Sequence, residues 1–372
     1  MLKSLRAVVR FKKFESDPIK RRLSKVANIE DLRNLARRRL PSGVFDYIDG
    51  AAEDERTYDR NEAGFAKIGF APRVLRGNAE IDTSTTLMGK HLPVPLVLAP
   101  TGFTRIAHSQ GELAVARSAA RAGLPYALST LGTRSIEEVA EAGDGDKWFQ
   151  VYVWKDRGLV DEMLDRAATA GYSTAVVTVD TATFGRRERD VRRGFTLPPR
   201  IGLGTIIDGI RRPGWSLDFV KAEPIMFANV TGGSVGDGSD PVSLAEYVAD
   251  QMDPGLSWED IDHFREQWPG KMTIKGIQTV ADAKIAVDRG IDAVILSNHG
   301  GRQLDDAPAP IDLLPSVADA LGGHTDIILD GGIRRGSDVV KAVSLGAKAC
   351  MFGRAYLYGL GAAGEQGVDF VL

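Results

Sequence analysis

The sequence predicts an α/β fold whose eight strands suggest closure into a (β/α)8 barrel. From about residue 94 onward, short apolar runs rich in β-branched residues alternate with helix-like stretches, the signature of βα units feeding a parallel sheet. The amphipathic stretches often end on a glycine, as a helix C-cap would. Polar, chemistry-bearing residues directly follow several of the apolar runs, which is where a barrel mounts its site.

In chain order the candidate strands are residues 94–100, 126–129, 148–153, 174–179, 272–275, 293–297, 326–329 and 349–352. Between them lie amphipathic stretches at 112–122, 159–170, 280–289 and 338–345, with Gly123, Gly171, Gly290 and Gly346 after them. A doubly wound open sheet gives the same alternation, so periodicity alone leaves barrel against open sheet undecided. Residues 1–27 read as a basic arm and residues 28–372 as a single domain. The first 90 residues form an extension, with a helix cap at Asn28-Ile29-Glu30-Asp31-Leu32, suited to closing one barrel end. A second irregular region, residues 196–254, is rich in Gly and Pro and carries Ile206, Ile207, Trp215, Phe219, Ile225 and Phe227. A connection of that length between the fourth and fifth strands serves as a lid or contact surface, or stays disordered.

Composition narrows the classes. A chain of 372 residues, 43% hydrophobic, can bury one large core. A formal charge of −3 gives no footing for nucleic-acid binding. Cys350 is the lone cysteine, which excludes an internal disulfide or a CxxC pair. His91, His108, His263, His299 and His324 show neither HExxH nor a close cluster, so no metal site is expected. No run approaches the roughly 20 apolar residues of a membrane span, and no signal peptide is legible, so a cytoplasmic location is expected. Residues 1–25 hold nine Lys/Arg against two acids, interleaved with Leu2, Leu5, Val8, Val9, Phe11 and Phe14. Such a segment suits an anionic membrane surface, and equally a solvated tail or subunit-contact arm.

The strand ends carry the chemistry. Ser297-Asn298-His299-Gly300-Gly301-Arg302-Gln303-Leu304-Asp305 follows the apolar run Ala293-Val294-Ile295-Leu296. His299 offers an imidazole base and Arg302 a planar fork for a carboxylate. The bland alternative is a structural histidine beside a surface ion pair. Asp180, closing Thr178-Val179-Asp180, is a candidate to orient a histidine across the barrel mouth, with Arg187 as a second carboxylate clamp; a loop cap and a solvated arginine fit these residues as well. Lys275 ends the fifth strand, and an inward lysine needs an anionic partner such as a flavin, or acts as a Schiff-base nucleophile. Asp330-Gly331-Gly332-Ile333-Arg334 and Gly353-Arg354 follow the seventh and eighth strands, where barrels hold phosphate.

With these residues laid out, the chain resembles the FMN-dependent L-2-hydroxy acid oxidase and dehydrogenase family over about residues 28–368, through SNHGGRQLD, TIKGI, LDGGIRRGSD and GRAYLYGL in the family's order. The resemblance implies a barrel, FMN, and His299 as catalytic base paired with Asp180. It implies Arg302 and Arg187 on the substrate carboxylate, and Tyr47 and Tyr152 on carboxylate and hydroxyl, two residues otherwise read as core aromatics. Around the cofactor it implies Pro100, Thr101, Gly102, Ser129, Gln150, Thr178, Lys275 and Ser297 at the isoalloxazine, and Asp330, Gly331, Gly332, Arg334, Gly353 and Arg354 at ribityl and phosphate. Bacterial L-lactate dehydrogenases look nearest, through Ala99-Pro100-Thr101-Gly102-Phe103-Thr104-Arg105, Gln251-Met252-Asp253-Pro254 and residues 267–271.

That resemblance implies L-lactate as substrate and a quinone or other respiratory acceptor. An oxygen-using 2-hydroxy acid oxidase is the alternative. It also implies a homo-oligomer, tetramer or higher, with peripheral attachment to the cytoplasmic face of the membrane as a further expectation. Departures are Ala355 where proline is common, the loop Thr181-Ala182-Thr183, Leu131 where plant oxidases carry tryptophan, and Gly102 where oxidases commonly carry alanine. Relatives also continue beyond Leu372, which leaves an eighth outer helix expected to be incomplete or the chain truncated.

Overall fold

The computed structural model describes residues 15–77, 79–194, 202–230 and 250–372. After an antiparallel hairpin, β1 (Thr85–Leu87) and β2 (Lys90–Leu92), the barrel strands are β3 (Leu96–Leu98), β4 (Tyr126–Ser129), β5 (Lys147–Tyr152), β6 (Thr174–Thr178), β7 (Lys271–Ile277), β8 (Ala293–Leu296), β9 (Asp326–Asp330) and β10 (Ala349–Phe352). Each pairs in parallel with its sequence neighbour, and β10 closes the ring on β3 with Met351 opposite Val97. The open sheet is thereby excluded.

Alternation along each strand separates two cores. Val97, Trp148, Val176, Ile295 and Met351 meet in one buried cluster that also takes Leu87 and Leu92 of the hairpin. The β-branched and aromatic residues of the runs thus fill the barrel, and the N-terminal extension does close one end of it. The intervening side chains, among them Leu98, Phe149, Val177, Ile274 and Val294, pack outward under the helices. Helices Gly111–Ala122, Arg157–Thr169, Val280–Asp288 and Gly336–Ser344 fall where the amphipathic stretches predicted them. Gly123 caps the first at φ 67°, in the left-handed region that glycine enters at little cost.

The extension forms helices Pro18–Leu23, Ile29–Arg39, Ser42–Asp49 and Arg56–Ala66. Asn28 does cap the second, its side chain accepting from Asp31 N at 2.9 Å. The first packs on the body of the protein, with Leu23 buried and Arg22 Nη1 donating to Ala362 O at 2.5 Å. The apolar-basic pattern of residues 1–14 lies outside the described residues. Asp49 joins several elements from a buried position: Arg33 donates to it at 2.5 and 2.8 Å, Arg189 at 2.7 Å and the Tyr358 hydroxyl at 2.7 Å.

Two expectations need correction. The region at 196–254 is not irregular throughout, because helices Leu203–Ile210 and Pro213–Lys221 lie within its described part. Gly202, Gly204, Gly209, Pro213 and Gly214 had masked their periodicity. The eighth outer helix, Arg354–Ala363, is formed and is followed by Glu365–Val371. Gly359 and Gly367 bring these two helices so close that a Cβ on either would strike the other's carbonyl oxygen.

Candidate active site

Asp180 and His299 follow the C-terminal ends of β6 and β8, the parallel strands on either side of β7. Val179 N still donates to Lys275 O at 2.9 Å, and Asp180 turns in just after it. The approach needs a bulge in β7 between Lys275 and Ile277, where Gly276 sits at φ 112° and a Cβ would lie 2.8 Å from Asp180. His299 has φ 56° and its main-chain N donates to Ser297 Oγ at 3.0 Å. A non-glycine residue held there carries strain that the surrounding fold must offset. The result is a contact of 2.9 Å between His299 Nδ1 and Asp180 Oδ1. Burial alone would push the Asp180 carboxyl up, but His299 and Lys275 outweigh it and hold it below the usual carboxylate value. Tyr152 stacks near the imidazole, with centroids 6.5 Å apart and planes at 19°. Burial, reinforced by Asp180, pushes the Tyr152 phenol up, so it stays a hydroxyl.

Arg302 points inward from the turn after His299. Its Nη1 donates to Tyr47 O at 2.7 Å and to Gly50 O at 3.0 Å, and its guanidinium stands 5.0 Å from the Tyr47 ring centre. Arg187 faces the same ring at 5.8 Å and lies 3.6 Å from Asp190. Burial, with Arg187 and Arg354 nearby, pulls Arg302 down to about 10. A half-buried guanidinium bonded only to carbonyls is a ready partner for an incoming anion.

On the barrel axis Lys275 Nζ donates to Ser297 Oγ at 3.0 Å and lies 2.7 Å from Asp330 Oδ2, which also accepts from Ser297 Oγ at 2.7 Å. Burial would lower the Lys275 ammonium, but Asp330 and Asp180 outweigh it and raise it, so it stays charged. Ser129 Oγ donates to Gln150 Oε1 at 2.9 Å. Beyond β9 and β10, Gly331 (φ 119°) and Gly332 (φ 81°) face Gly353 and Arg354 across one cavity. Arg354 donates to Ile48 O, Gly300 O and Gly50 O at 3.1, 2.8 and 2.7 Å. Arg334 lies 3.0 Å from Glu62 and near the Tyr58 and Tyr358 rings.

These groups converge on one cavity of about 330 Å³. Tyr47, Tyr152, Arg187, His299 and Arg302 line it, as do Pro100, Thr101, Gly102, Gln150, Thr178, Lys275, Asp330, Gly331, Gly332, Arg334, Gly353 and Arg354. Asp180, Ser129 and Ser297 stand one layer back, holding His299, Gln150 and the Lys275–Asp330 pair. Sequence reasoning missed Ile48, Phe103, Phe227 and Met351, which also line the cavity. The signal available for Phe103 was its place just past a strand end; Phe227 read only as one more apolar residue of the long connection.

A family model described as FMN-dependent dehydrogenase matches residues 36–372. The chain belongs to the FMN-dependent dehydrogenase family. It is 45% identical over 369 residues to the putative L-lactate dehydrogenase of Mycobacterium tuberculosis, covering 99% of this chain and 87% of that one. It is 42% identical over 354 residues to an L-lactate dehydrogenase of Haemophilus influenzae, covering 93% and 91%. In structure it is similar to the monotopic membrane protein (S)-mandelate dehydrogenase, with a TM-score of 0.89 and 40% identity over 93% of this chain and 91% of that one. A mandelate oxidase matches with a TM-score of 0.78 at 34% identity, over 93% and 90%. The chain is thus an FMN-dependent oxidoreductase of the 2-hydroxy acid dehydrogenase and oxidase kind.

The lining fits the family's cofactor. Gln150 Nε2 and Thr178 Oγ1 are buried at the cavity with no hydrogen-bond partner among the described residues, an arrangement a flavin edge would complete. No described carboxylate pairs with Arg354, at the start of the helix Arg354–Ala363 beside Gly331, where a phosphate would supply the missing charge.

Proposed function

We propose that the chain oxidises a small L-2-hydroxy acid, L-lactate foremost, to the 2-oxo acid, with electrons leaving for a quinone or other respiratory acceptor. The observation that carries the reading is His299, held by Asp180 at 2.9 Å, in the cavity that Arg302 enters with only carbonyl partners. Arg302 and Arg187 bind the substrate carboxylate, Tyr47 assists them, and Tyr152 takes the hydroxyl. This fixes C2 beside the base and converts encounter into reactive geometry. His299 Nε2 receives the substrate proton, and Asp180 on Nδ1 stabilises the imidazolium. Bound FMN supplies the two-electron acceptor for the C2–H cleavage. Pro100, Thr101, Gly102, Gln150, Thr178 and Lys275 hold its ring, backed by Ser129 and Ser297. Asp330, Gly331, Gly332, Arg334, Gly353 and Arg354 hold its ribityl and phosphate.

Lactate is favoured by the names of the relatives, and a non-oxygen acceptor by those names together with Gly102. Among the described residues no helix is long and apolar enough to cross a membrane. We place the protein peripherally on the cytoplasmic face, as a homo-oligomer of four or more chains. Support for the attachment comes from the helices Leu203–Ile210 and Pro213–Lys221. Asp208, Trp215 and Asp218 dock them inward, bonding Ser42 N at 2.5 Å, Ile106 O at 2.7 Å and Ser109 N at 2.9 Å. Leu203, Ile206, Ile207, Ile210, Leu217 and Val220 are left exposed beside Arg211 and Lys221, a combination that suits an anionic lipid surface. The acceptor is tested in air with L-lactate and a soluble quinone analogue. Quinone reduction with little peroxide supports the reading; peroxide equal to the lactate consumed replaces it with an oxidase.

A further inference from the structure

Phe227 reaches the cavity from the long connection between β6 and β7, the segment that also carries the two outer helices. It is buried, and its ring meets Phe103 edge-on, with centroids 4.5 Å apart and planes at 71°. Phe103 meets Tyr47 edge-on at 6.2 Å, and Tyr47 is the ring that both Arg302 and Arg187 face. Three aromatic rings therefore run from the connection to the two guanidiniums. Edge-to-face pairs of this kind have a preferred geometry that a flexible aliphatic chain does not reproduce.

Both phenylalanines are pinned by their backbones. Buried Asn229 accepts from Ile136 N at 2.8 Å and donates to Ser129 O and Arg134 O, each at 3.4 Å. Ala228 N donates to Gly132 O at 3.2 Å. Phe103 sits at φ 56°, the left-handed region that a non-glycine residue rarely occupies, and its N donates to Leu131 O at 3.1 Å. The wall is thus anchored through the turn after β4, which also presents Leu131 to the cavity.

We infer that Phe227 and Phe103 form the wall of the subsite that receives the substituent on C2 of the substrate, and that Phe227 sets its size. The inference rests on the functional reading above. With the carboxylate on Arg302 and Arg187 and the reacting carbon beside His299, the side chains that the turns after β3 and β4 and the long connection leave for the substituent are Leu131, Phe103, Phe184 and Phe227, with Thr181 and Gln303 as further uncharged lining. None of these carries a charge, so the substituent is uncharged and its wall is apolar. A second carboxylate would be desolvated there without compensation. Through Phe103, Phe227 also positions Tyr47 under the guanidiniums, so loosening it weakens carboxylate binding as well.

The test uses the full-length, FMN-loaded protein and its Phe227→Ala and Phe227→Leu variants. The readouts are kcat and KM for L-lactate, L-2-hydroxyhexanoate, L-mandelate and L-malate, together with FMN content. In Phe227→Ala the kcat/KM ratio of the longer acids to L-lactate rises roughly tenfold, the low end of the scale for one methylene in an apolar pocket. The KM for L-lactate rises more than its kcat falls, and L-malate stays a poor substrate throughout. An unchanged ratio in a variant that retains FMN overturns the inference, as does L-malate turnover matching that of L-lactate. Should Phe227→Ala fail to fold, Phe227→Leu carries the same comparison with a rise of about threefold, and an unchanged ratio there overturns it equally. A wild-type protein that reduces its flavin with none of the acids sinks the functional reading; one that does so, with variants matching its ratios, sinks this inference alone.

Discussion

His299 Nδ1 stands 2.9 Å from Asp180 Oδ1, while the other Asp180 oxygen is buried without a hydrogen-bond partner among the described residues. A carboxylate committed to one imidazole nitrogen fixes the tautomer and leaves the other nitrogen to accept a proton. His299→Gln and Asp180→Asn are expected to keep FMN and to lose turnover by about 10²- to 10⁴-fold, the range for a positioned general base. Flavin spectra and anaerobic reduction rates check this. Near-normal reduction in His299→Gln removes His299 as the base.

Arg302 spends its hydrogen bonds on Tyr47 O and Gly50 O while facing the cavity. Replacing it with lysine keeps the charge but loses the fork. Arg302→Lys is expected to raise KM for L-lactate by about 10- to 100-fold, the scale of a lost charge-assisted hydrogen bond. Steady-state kinetics with retained FMN checks this; an unchanged KM puts the substrate carboxylate elsewhere.

Asp49 contributes to acid stability. Burial alone would raise its carboxyl, but Arg33, Tyr358 and Arg189 outweigh it and bring it from 3.8 to about 2. The contribution is fully present above the ordinary value of 3.8 and is lost as pH falls through about 2. Its size is on the order of 2 kcal/mol. Asp49→Asn is expected to lose on the order of 2 kcal/mol at neutral pH, Arg33 and Arg189 keeping Glu30 and Glu55 as partners, and to lack this part of the acid transition. Denaturant midpoints between pH 5 and pH 2 decide it.

The exposed apolar helices predict lipid binding. Leu203 and Val220 are each 80% exposed and Ile210 is 72% exposed, so charges there leave the fold intact. Flotation with anionic vesicles at low salt is expected for the wild type and lost in a Leu203→Glu, Ile210→Glu, Val220→Glu triple variant. A wild-type protein that never floats, or a variant that floats equally well, contradicts the attachment.

The barrel was legible because its strands are short, apolar and bounded by polar turns. The runs at 126–129 and 349–352 coincide with β4 and β10. His299, Arg302, Lys275 and the two glycine-arginine motifs were legible too, since polar residues at strand ends are conspicuous against such runs. Tyr47 and Tyr152 entered only through the family resemblance, because an aromatic residue in an apolar context looks like core. Phe103 and Phe227 stayed silent for the same reason: their meaning lies in a ring-to-ring contact across a long stretch of chain. Asp49 was equally hidden, its partners Arg33, Arg189 and Tyr358 being scattered along the sequence.

The most direct test of the central claim is anaerobic addition of L-lactate, and separately D-lactate, to the purified protein while the visible flavin bands are followed. The account predicts a yellow protein that L-lactate bleaches and D-lactate does not. A protein that cannot be loaded with FMN, or whose flavin stays oxidised with L-lactate and every other L-2-hydroxy acid, contradicts it.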